Sequence, residues 1–314
     1  MVRYRFVSTG WNEIEMKQES TMDGQYLVLM AACFYGLNPY FAQQLFKDGL
    51  GAEMVSLYRF ILPAMFFVFC LRVPRENRAE ASRSLVLGLA SGVSIFGYFH
   101  ALDTIPAATA ILIYYSYPFF SVLIGWLIFK RAPSQNTLVS AALVLIAVSL
   151  TIRPESLPEG ALLAVAACFL APLAVATQVQ YLSNPRQKIP TPSRMAWITI
   201  GHVLVLLPIA LWIGPVQILP VSSVGMLSVL GIALLAAVIP QLLFMLGAPK
   251  SCADRNALTG SLELVVALIT GAVLLGSNLD RLELTAMVLI VLALFIKQVK
   301  SKPIVEAALQ RRHQ

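Results

Sequence analysis

The chain has 314 residues, of which 58% are hydrophobic and only 12% are charged, and its formal net charge is +7. A mean hydropathy of +0.76 excludes a soluble globular domain of this length, because soluble domains are about 25% charged. The composition therefore indicates an integral membrane protein.

Apolar stretches of membrane-spanning length follow one another from Gln25 to Val299. A spanning helix needs about 20 mostly apolar residues. Ten such stretches, called spans 1 to 10, cover residues 25–45, 52–71, 84–102, 107–129, 135–152, 160–180, 195–213, 222–247, 254–276 and 282–299. The predicted fold class is an all-α polytopic membrane protein with ten transmembrane helices.

Basic residues are concentrated in alternate loops, which predicts the orientation of the chain. If the N-terminus is cytoplasmic, most of the 23 Lys and Arg residues fall in cytoplasmic segments, and Arg59 is left inside span 2. This asymmetry is typical of cytoplasmic loops. It predicts cytoplasmic termini and a bacterial inner (plasma) membrane location. It also accounts for the positive charge without a nucleic-acid partner.

The two ends of the chain are predicted to be cytoplasmic tails. Residues 1–24 mix acidic and basic side chains and lack the apolar core of a signal peptide, so they are expected to be disordered. Residues 300–314 form a basic tail. The four cysteines show no close Cys-x-x-Cys spacing, so neither a disulfide framework nor a metal site is predicted. No cofactor is expected.

Short sequence matches reveal an internal repeat. Ala-Ala-Cys-Phe occurs at 31–34 and again at 166–169, an offset of 135, and later matches follow an offset of 146. Residues 25–152 and 153–299 are therefore predicted to be diverged copies with five spans each. Because five is odd, the second copy must be inverted relative to the first. Such inverted repeats place a substrate site near the middle of the membrane.

Polar residues and prolines interrupt spans 1 and 6. Pro39 interrupts span 1 and Pro172 interrupts span 6. Broken helices at matched positions are typical of transporter binding sites, although hydrogen bonding between helices is an alternative explanation of the polar side chains. The substrate-binding residues predicted here are Asn38, Tyr40, Gln43 and Gln178.

Span 9 carries a carboxylate, Glu263, well inside an apolar run. A charge at this depth costs roughly 2.5–3.5 kcal/mol and indicates a functional site. The named partner is Arg59, the basic residue placed well inside another span. Glu263 is predicted to couple transport to protons or to bind a substrate amine. The alternatives are a fixed Arg59–Glu263 ion pair, or an Arg59 side chain that reaches the headgroups.

Span 4 contains a tyrosine cluster beside Pro118. Tyr117 corresponds to Glu263 at the offset of 146, and tyrosines inside a span need hydrogen-bond partners. Tyr114 and Tyr117 are therefore predicted to face the substrate. His202 in span 7 is a weaker candidate, since a lone histidine in a membrane is commonly hydrogen-bonded to a neighbouring helix.

Three local patterns point to a known family. They are Ser56-Leu57-Tyr58-Arg59-Phe60, the run from Tyr117 to Gly125, and the run from Leu262 to Gly271. With ten spans in two repeats, they resemble the EamA-like family of the drug/metabolite transporter superfamily, from about Gly24 to Val299. Leu264 departs from the proline usual in that family. The resemblance implies a secondary transporter that exports a small amphiphilic metabolite such as an amino acid.

Other function classes fit the sequence less well. No Walker-type phosphate loop is present, so the expected driving force is an ion gradient, such as a proton gradient, or the substrate's own gradient. The phosphate-exchanging branch, which carries nucleotide sugars or sugar phosphates, needs several buried cations, and only Arg59 is available. A non-transporting membrane sensor is a further alternative. No zinc or nucleophile-elbow motif indicates an enzyme, so the expected partners are lipid and a small molecule.

Overall fold

The computed structural model describes residues 23–151, 161–184, 188–214, 217–276 and 280–296. The predicted tails 1–24 and 300–314 lie outside the described residues, except for residues 23 and 24. The last residues of span 10 also lie outside them. In the described ranges the regular structure is helical, without a β-strand. The predicted all-helical fold is confirmed.

Between residues 23 and 151 the structure has seven α-helices. They cover residues 23–35 (α1), Asn38–Lys47 (α2), Ala52–Phe67 (α3), Arg78–Thr104 (α4), Ala107–Tyr114 (α5), Tyr117–Leu127 (α6) and Gln135–Thr151 (α7). Spans 1 and 4 are thus each divided into two short helices by a tight turn just before Asn38 and Tyr117, where the N–H groups of Leu37 and Ser116 bond to carbonyls three residues earlier.

The second half repeats this arrangement. Its α-helices are Leu162–Cys168 (α8), Leu170–Leu182 (α9), Thr191–Ile213 (α10), Ser223–Leu230 (α11), Ile239–Gly247 (α12), Ala253–Gly260 (α13), Leu262–Leu275 (α14) and Arg281–Phe295 (α15). A π-helical segment, Gly231–Val238, joins α11 to α12. Spans 6 and 9 are therefore also divided.

Six helical stretches in the described ranges are long and apolar enough to cross a membrane. They are Ala52–Cys70, Arg75–Leu102, Leu162–Leu182, Thr191–Ile213, Ser223–Lys250 and Ala253–Leu275. Two shorter apolar helices cover Tyr117–Leu127 and Gln135–Ala147. An integral membrane protein is supported. The prediction of ten spans is supported only in part. The breaks at 36–37 and 115–116 divide spans 1 and 4, and within the described residues α7 and α15 are only 17 and 15 residues long.

Contacts between helices in the two halves occur in matched pairs. Helix α10 packs against α4, and its counterpart is the contact between α3 and the π-helical segment. The contact of α6 with α9 likewise corresponds to that of α2 with α14. Helices α3 and α10 pack together, as do α7 and α15. Exchanging the two halves therefore maps this set of contacts onto itself.

Helices α4 and α10 approach each other closely at two glycines. A methyl group on Gly88 would overlap with the carbonyl oxygen of Ile198, and one on Gly201 would lie 2.6 Å from the carbonyl oxygen of Leu85. Small residues allow such backbone contact between membrane helices. These helices form the scaffold on which the broken helices are placed.

Candidate functional site

Four helix breaks divide spans in the described chain. They occur at residues 36–37, 115–116, 169 and 261. Three of them adjoin one another inside the protein, because Gly36 contacts Glu263 and Gly260 contacts Tyr117, whereas Phe169 at the fourth is 41% exposed.

Prolines lie in the first turn of α2 and α6, where a missing N–H costs nothing. At two breaks a serine hydroxyl donates to a carbonyl three residues earlier. These are Ser116 to Ile113 and Ser261 to Leu258, both at 2.6 Å. Such local bonds compete with helix continuation.

A cavity lies between the broken helices and the scaffold. It gives the centres of water-sized molecules about 90 Å³, which is room for several waters. Its polar and aromatic lining comprises Tyr35, Asn38, Arg59, Phe60, Tyr98, Tyr114, Tyr117, Gln178, His202, Gln241 and Glu263. The rest of the lining is apolar, and a few polar groups among apolar side chains are typical of small-molecule sites.

Six of the eight predicted site residues line the cavity: Asn38, Arg59, Tyr114, Tyr117, Gln178 and Glu263. Tyr40 and Gln43 are not among the described residues that line it. Both lie on α2, which begins at Asn38. At about 100° per residue, Tyr40 and Gln43 point roughly 200° and 140° away from the direction of Asn38.

Glu263 lies at the start of α14 and is only 6% exposed. The Tyr115 side chain provides a hydrogen bond to its carboxylate. A methyl group on Gly36 would lie 2.8 Å from the Glu263 carbonyl oxygen. The first and last breaks are therefore in direct contact. Tyr117 also reaches this region, because its hydroxyl lies against Gly260.

Arg59 is buried on α3 and is held by aromatic rings. Its guanidinium carbon lies 5.9 Å from the ring centroid of Tyr35 and 5.6 Å from that of Phe60. Among the described residues its Nε has no hydrogen-bond partner, and no direct ion pair joins it to Glu263. The fixed ion pair considered from the sequence is thus not formed. The two charges share the cavity without touching.

His202 is placed in the cavity wall by α10. Its ring stacks on Phe60 at a centroid distance of 4.0 Å with an interplanar angle of 4°, and its Nε2 lies 2.9 Å from the hydroxyl of Ser91. His202 was a weaker candidate from the sequence because a lone histidine belongs to no recognisable pattern. Its proximity to Arg59 depends on the packing of α3 against α10.

Several polar atoms in the wall are unpaired within the described protein. They are Asn38 Oδ1, Arg59 Nε, His202 Nδ1 and Gln241 Nε2. An unsatisfied buried polar group costs about 1–3 kcal/mol. Four of these atoms belong to residues that line one cavity, which is compatible with a polar ligand there.

Sequence reasoning missed part of this lining. Tyr35 precedes the first break by one residue, so the break itself could have signalled it. Tyr98 gave no signal, because it lies in the middle of the continuous helix α4. Its ring meets that of Tyr114 at a centroid distance of 5.0 Å. Gln241 is a single polar residue after Pro240 in span 8, which is only a weak indication of a site.

The loops at one end of the molecule are clamped together. The Asp48 carboxylate accepts hydrogen bonds from the backbone N–H groups of Val221 (2.8 Å) and Ser222 (3.1 Å). The Gln217 side chain donates to the backbone carbonyl of Asp48 at 2.8 Å. The Tyr58 hydroxyl donates to the backbone carbonyl of Ile218 at 2.6 Å. This clamp joins the end of α2 to the loop before α11.

Paired broken helices around a buried polar cavity define a membrane transporter of small molecules. The family model of the EamA-like transporter family matches residues 22–153 and 159–297. The chain therefore belongs to this family, which is part of the drug/metabolite transporter superfamily. A solved crystal structure of a protein shares the fold at TM-score 0.67 and 16% identity, covering 95% of this chain and 99% of that one. No curated protein matches the sequence.

Proposed function

We propose that this protein is a secondary transporter that exports a small amphiphilic metabolite, such as an amino acid, by alternating access. The observation that carries the proposal is the set of four unpaired polar atoms on residues lining a buried cavity between broken helices. A structural cavity would be expected to satisfy its own polar groups. A transport site must instead exchange bonds with a ligand.

The proposed mechanism uses two inverted five-helix repeats with ten spans. It is supported by the family match, which divides at residues 153 and 159, and by helix contacts that map onto one another when the halves are exchanged. Exchanging the conformations of inverted repeats turns an inward-open cavity outward. We place the Asp48 clamp on the outer side, with both termini in the cytoplasm of a bacterial inner-membrane protein.

Glu263 is the proposed coupling residue. It lies in the cavity wall, where its carboxylate can exchange a proton or a substrate ammonium group as access alternates. A phosphate-bearing substrate is disfavoured. Of the Lys and Arg residues in the described part of the chain, Arg59 alone lines the cavity. A phosphate group would need several paired cations.

The test is counterflow in proteoliposomes preloaded with a mixed amino-acid pool. Wild type is expected to exchange a subset of the pool, and Glu263→Gln and Asn38→Ala are expected to lower the rate at least tenfold. The matched control is Gln43→Ala, which also removes an amide from α2 but lies off the cavity, and it should retain the wild-type rate. Absence of any exchange by wild type would overturn the amino-acid assignment. Unchanged exchange and pH dependence in Glu263→Gln would remove its coupling role.

A further inference from the structure

A groove between the ends of three helices is separate from the central cavity. Its walls come from the start of α1, one face of α13 and the end of α15. It gives the centres of water-sized molecules about 500 Å³, against about 90 Å³ in the central cavity, and no described residue lines both. Gln25 and Ile296, near the two ends of the described chain, both line the groove. The groove therefore lies at the end of the molecule where α1 begins and α15 ends.

The lining of the groove changes from polar to apolar with depth. Gln25 lies in the first turn of α1 and Arg255 in the first turn of α13. One turn deeper are Leu29 and Leu258, which share a helix face with them because residues three or four apart are neighbours. Thr259 is the one polar residue at this depth in the described lining. A molecule with a polar head and a hydrocarbon chain matches this order.

Two exposed rings mark the rim of the groove. Tyr26 in α1 is 58% exposed, and Phe295 at the end of α15 is 82% exposed. Tyrosine is enriched at the boundary between the hydrocarbon core of a membrane and water. Leu294, beside Phe295, continues the apolar wall. In a membrane-spanning protein the apolar part of this groove therefore faces lipid, and lipid is the molecule available to cover it.

The charged side chain in the described lining is Arg255, which is half-buried. No hydrogen bond or ion pair joins its guanidinium group to another residue in the described part of the chain. A second basic residue, Lys250, packs against the start of α1, since a methyl group on Gly24 would lie 2.6 Å from the Lys250 Cβ. The Gln25 side chain also donates to the Ser251 hydroxyl at 3.4 Å. Two basic side chains thus lie near the polar end of the groove.

Acidic side chains do not balance this charge within the described ranges. The carboxylate of Asp254 is directed towards α9, where it lies 3.5 Å from Gln180 Nε2. Asp23 is exposed and forms no ion pair with a described residue. The sequence that follows Ile296 adds the basic residues Lys297, Lys300 and Lys302. Because these lysines repel Arg255, the start of the C-terminal tail is a poor occupant of the groove and an anion is a good one.

We propose that this groove binds an anionic phospholipid, with its phosphate on Arg255 and one acyl chain along Leu29, Leu258 and Leu294. A guanidinium group matches the geometry of a phosphate. Basic pockets between membrane helices bind the headgroups of anionic lipids. The inference does not depend on the proposed transport function, since the groove and the central cavity have no described lining residue in common.

The test is photolabelling of the purified full-length protein in detergent micelles. The probe is phosphatidylglycerol with a photoactivatable group in one acyl chain, and labelled peptides are located by mass spectrometry. Labels are expected on the parts of α1, α13 and α15 that line the groove. Unlabelled phosphatidylglycerol should compete about fivefold better than phosphatidylcholine with the same chains, the factor expected for one basic residue beside an anionic lipid. Glycerol 3-phosphate, which has the phosphate but no acyl chain, should not compete.

The variants test the role of Arg255. Arg255→Gln should remove the preference for phosphatidylglycerol over phosphatidylcholine, whereas Arg255→Lys keeps the charge and should retain part of it. The matched control is Arg281→Gln, which removes an arginine from the opposite end of α15 and should behave as wild type does. Because the Arg255 guanidinium has no partner among the described residues, Arg255→Gln should keep the wild-type melting temperature in lipid-free detergent.

Several outcomes would overturn the proposal. Equal competition by the two phospholipids, or an unchanged preference in Arg255→Gln, would show that the headgroup charge is not recognised at Arg255. Labels spread evenly over all exposed helices would indicate ordinary contact with surrounding lipid. Labels absent from the groove would indicate that another part of the chain covers it. Competition by glycerol 3-phosphate as strong as that by phosphatidylglycerol would assign the site to a soluble phosphate ester instead of a lipid.

Discussion

Two close approaches at glycine show how the scaffold differs from the site. In the scaffold, Gly88 of α4 meets the backbone carbonyl of Ile198 in α10. In the site, Gly260 at the end of α13 meets the side-chain hydroxyl of Tyr117 in α6. The first contact joins two continuous helices through their backbones. The second joins two broken helices through a side chain that other residues can replace.

The difference separates a fixed interface from an adjustable one. Backbone contact leaves no side-chain atom that can be removed, so we expect α4 and α10 to move as one unit. The contact at Gly260 depends on one hydroxyl group beside the Glu263 cavity. Alternating access requires some elements to shift and others to hold their packing. The two glycine contacts indicate which helices belong to each group.

The largest expected effect is that of Gly88→Ala. The added methyl group would overlap with the Ile198 carbonyl, which cannot move without separating α4 from α10. Overpacking of this kind costs typically 1–3 kcal/mol or more. We expect a much lower yield of monodisperse protein and a lower melting temperature in detergent. The control is Gly92→Ala on the same helix, where the nearest atom, His202 Cα, would lie 3.2 Å away.

A melting temperature for Gly88→Ala equal to that of Gly92→Ala would show that α4 and α10 can separate. The scaffold would then be no more rigid than the broken helices, and the distinction between the two glycine contacts would not hold.

A smaller and repairable effect is expected for Gly260→Ala. The new methyl group would overlap with the Tyr117 hydroxyl, but the next ring atom, Cζ, would lie 3.3 Å away. Tyr117→Phe removes the hydroxyl and should restore most of the melting temperature lost in the single variant. The readout is thermal unfolding of both single variants and the double variant. A double variant no more stable than Gly260→Ala would mean that the strain lies in the backbone at Ser261.

The sequence could predict the broken helices where proline marks them. Pro39 and Pro172 predicted breaks in spans 1 and 6, and the structure has breaks at residues 36–37 and 169, whereas the break beside Pro118 was not predicted. The break at Ser261 has no such mark, since Leu264 stands where its repeat mate has Pro118, and it could be inferred only from the repeat. Buried charges were equally visible, because Arg59 and Glu263 interrupt apolar runs.

The rest of the site depends on the rotation of helices, which periodicity did not fix. Tyr40 and Gln43 were predicted to line the cavity with Asn38, but all three lie on α2, and the rotation of about 100° per residue turns Tyr40 and Gln43 away from the direction of Asn38. Tyr98 and His202 enter it because α4 and α10 pack closely enough for their inner faces to reach it. That packing is a tertiary property and leaves little trace in a single sequence.

The clamp at Asp48 links the end of the broken helix α2 to the loop before α11 in the second half. The Asp48 carboxylate accepts hydrogen bonds from the backbone N–H and the side chain of Ser222 and from the backbone N–H of Val221. These bonds hold the pKa of Asp48 below its ordinary value. A lowered pKa means that the contact is favourable at and above the ordinary range and is lost as the pH falls through the lowered value. Acidification should therefore release this clamp.

The measurement is hydrogen exchange at the amides of Val221 and Ser222 as a function of pH, corrected for intrinsic exchange. Wild type should lose protection at acidic pH, by a few-fold because Asp48 is exposed to solvent. Asp48→Asn should show less protection at neutral pH and little pH dependence. The amides of α10, in the scaffold, should keep their protection in both proteins. Equal pH dependence in wild type and Asp48→Asn would assign the effect to another group.

The smallest effect is expected for Pro118→Ala. The break before α6 is also held by the Ser116 hydroxyl bonded to Ile113, and the matched break before α14 persists with Leu264 in place of proline. Removing the proline should therefore leave the break and change the stability by less than about 1 kcal/mol, the scale of a compatible Xaa–Pro exchange in an ordered chain. Thermal unfolding measures the change in stability. Counterflow measures whether the protein without the proline still transports at the wild-type rate. If Pro118→Ala slows counterflow about tenfold while the melting temperature is unchanged, the proline itself maintains the break. The two matched breaks would then be held by different physical means.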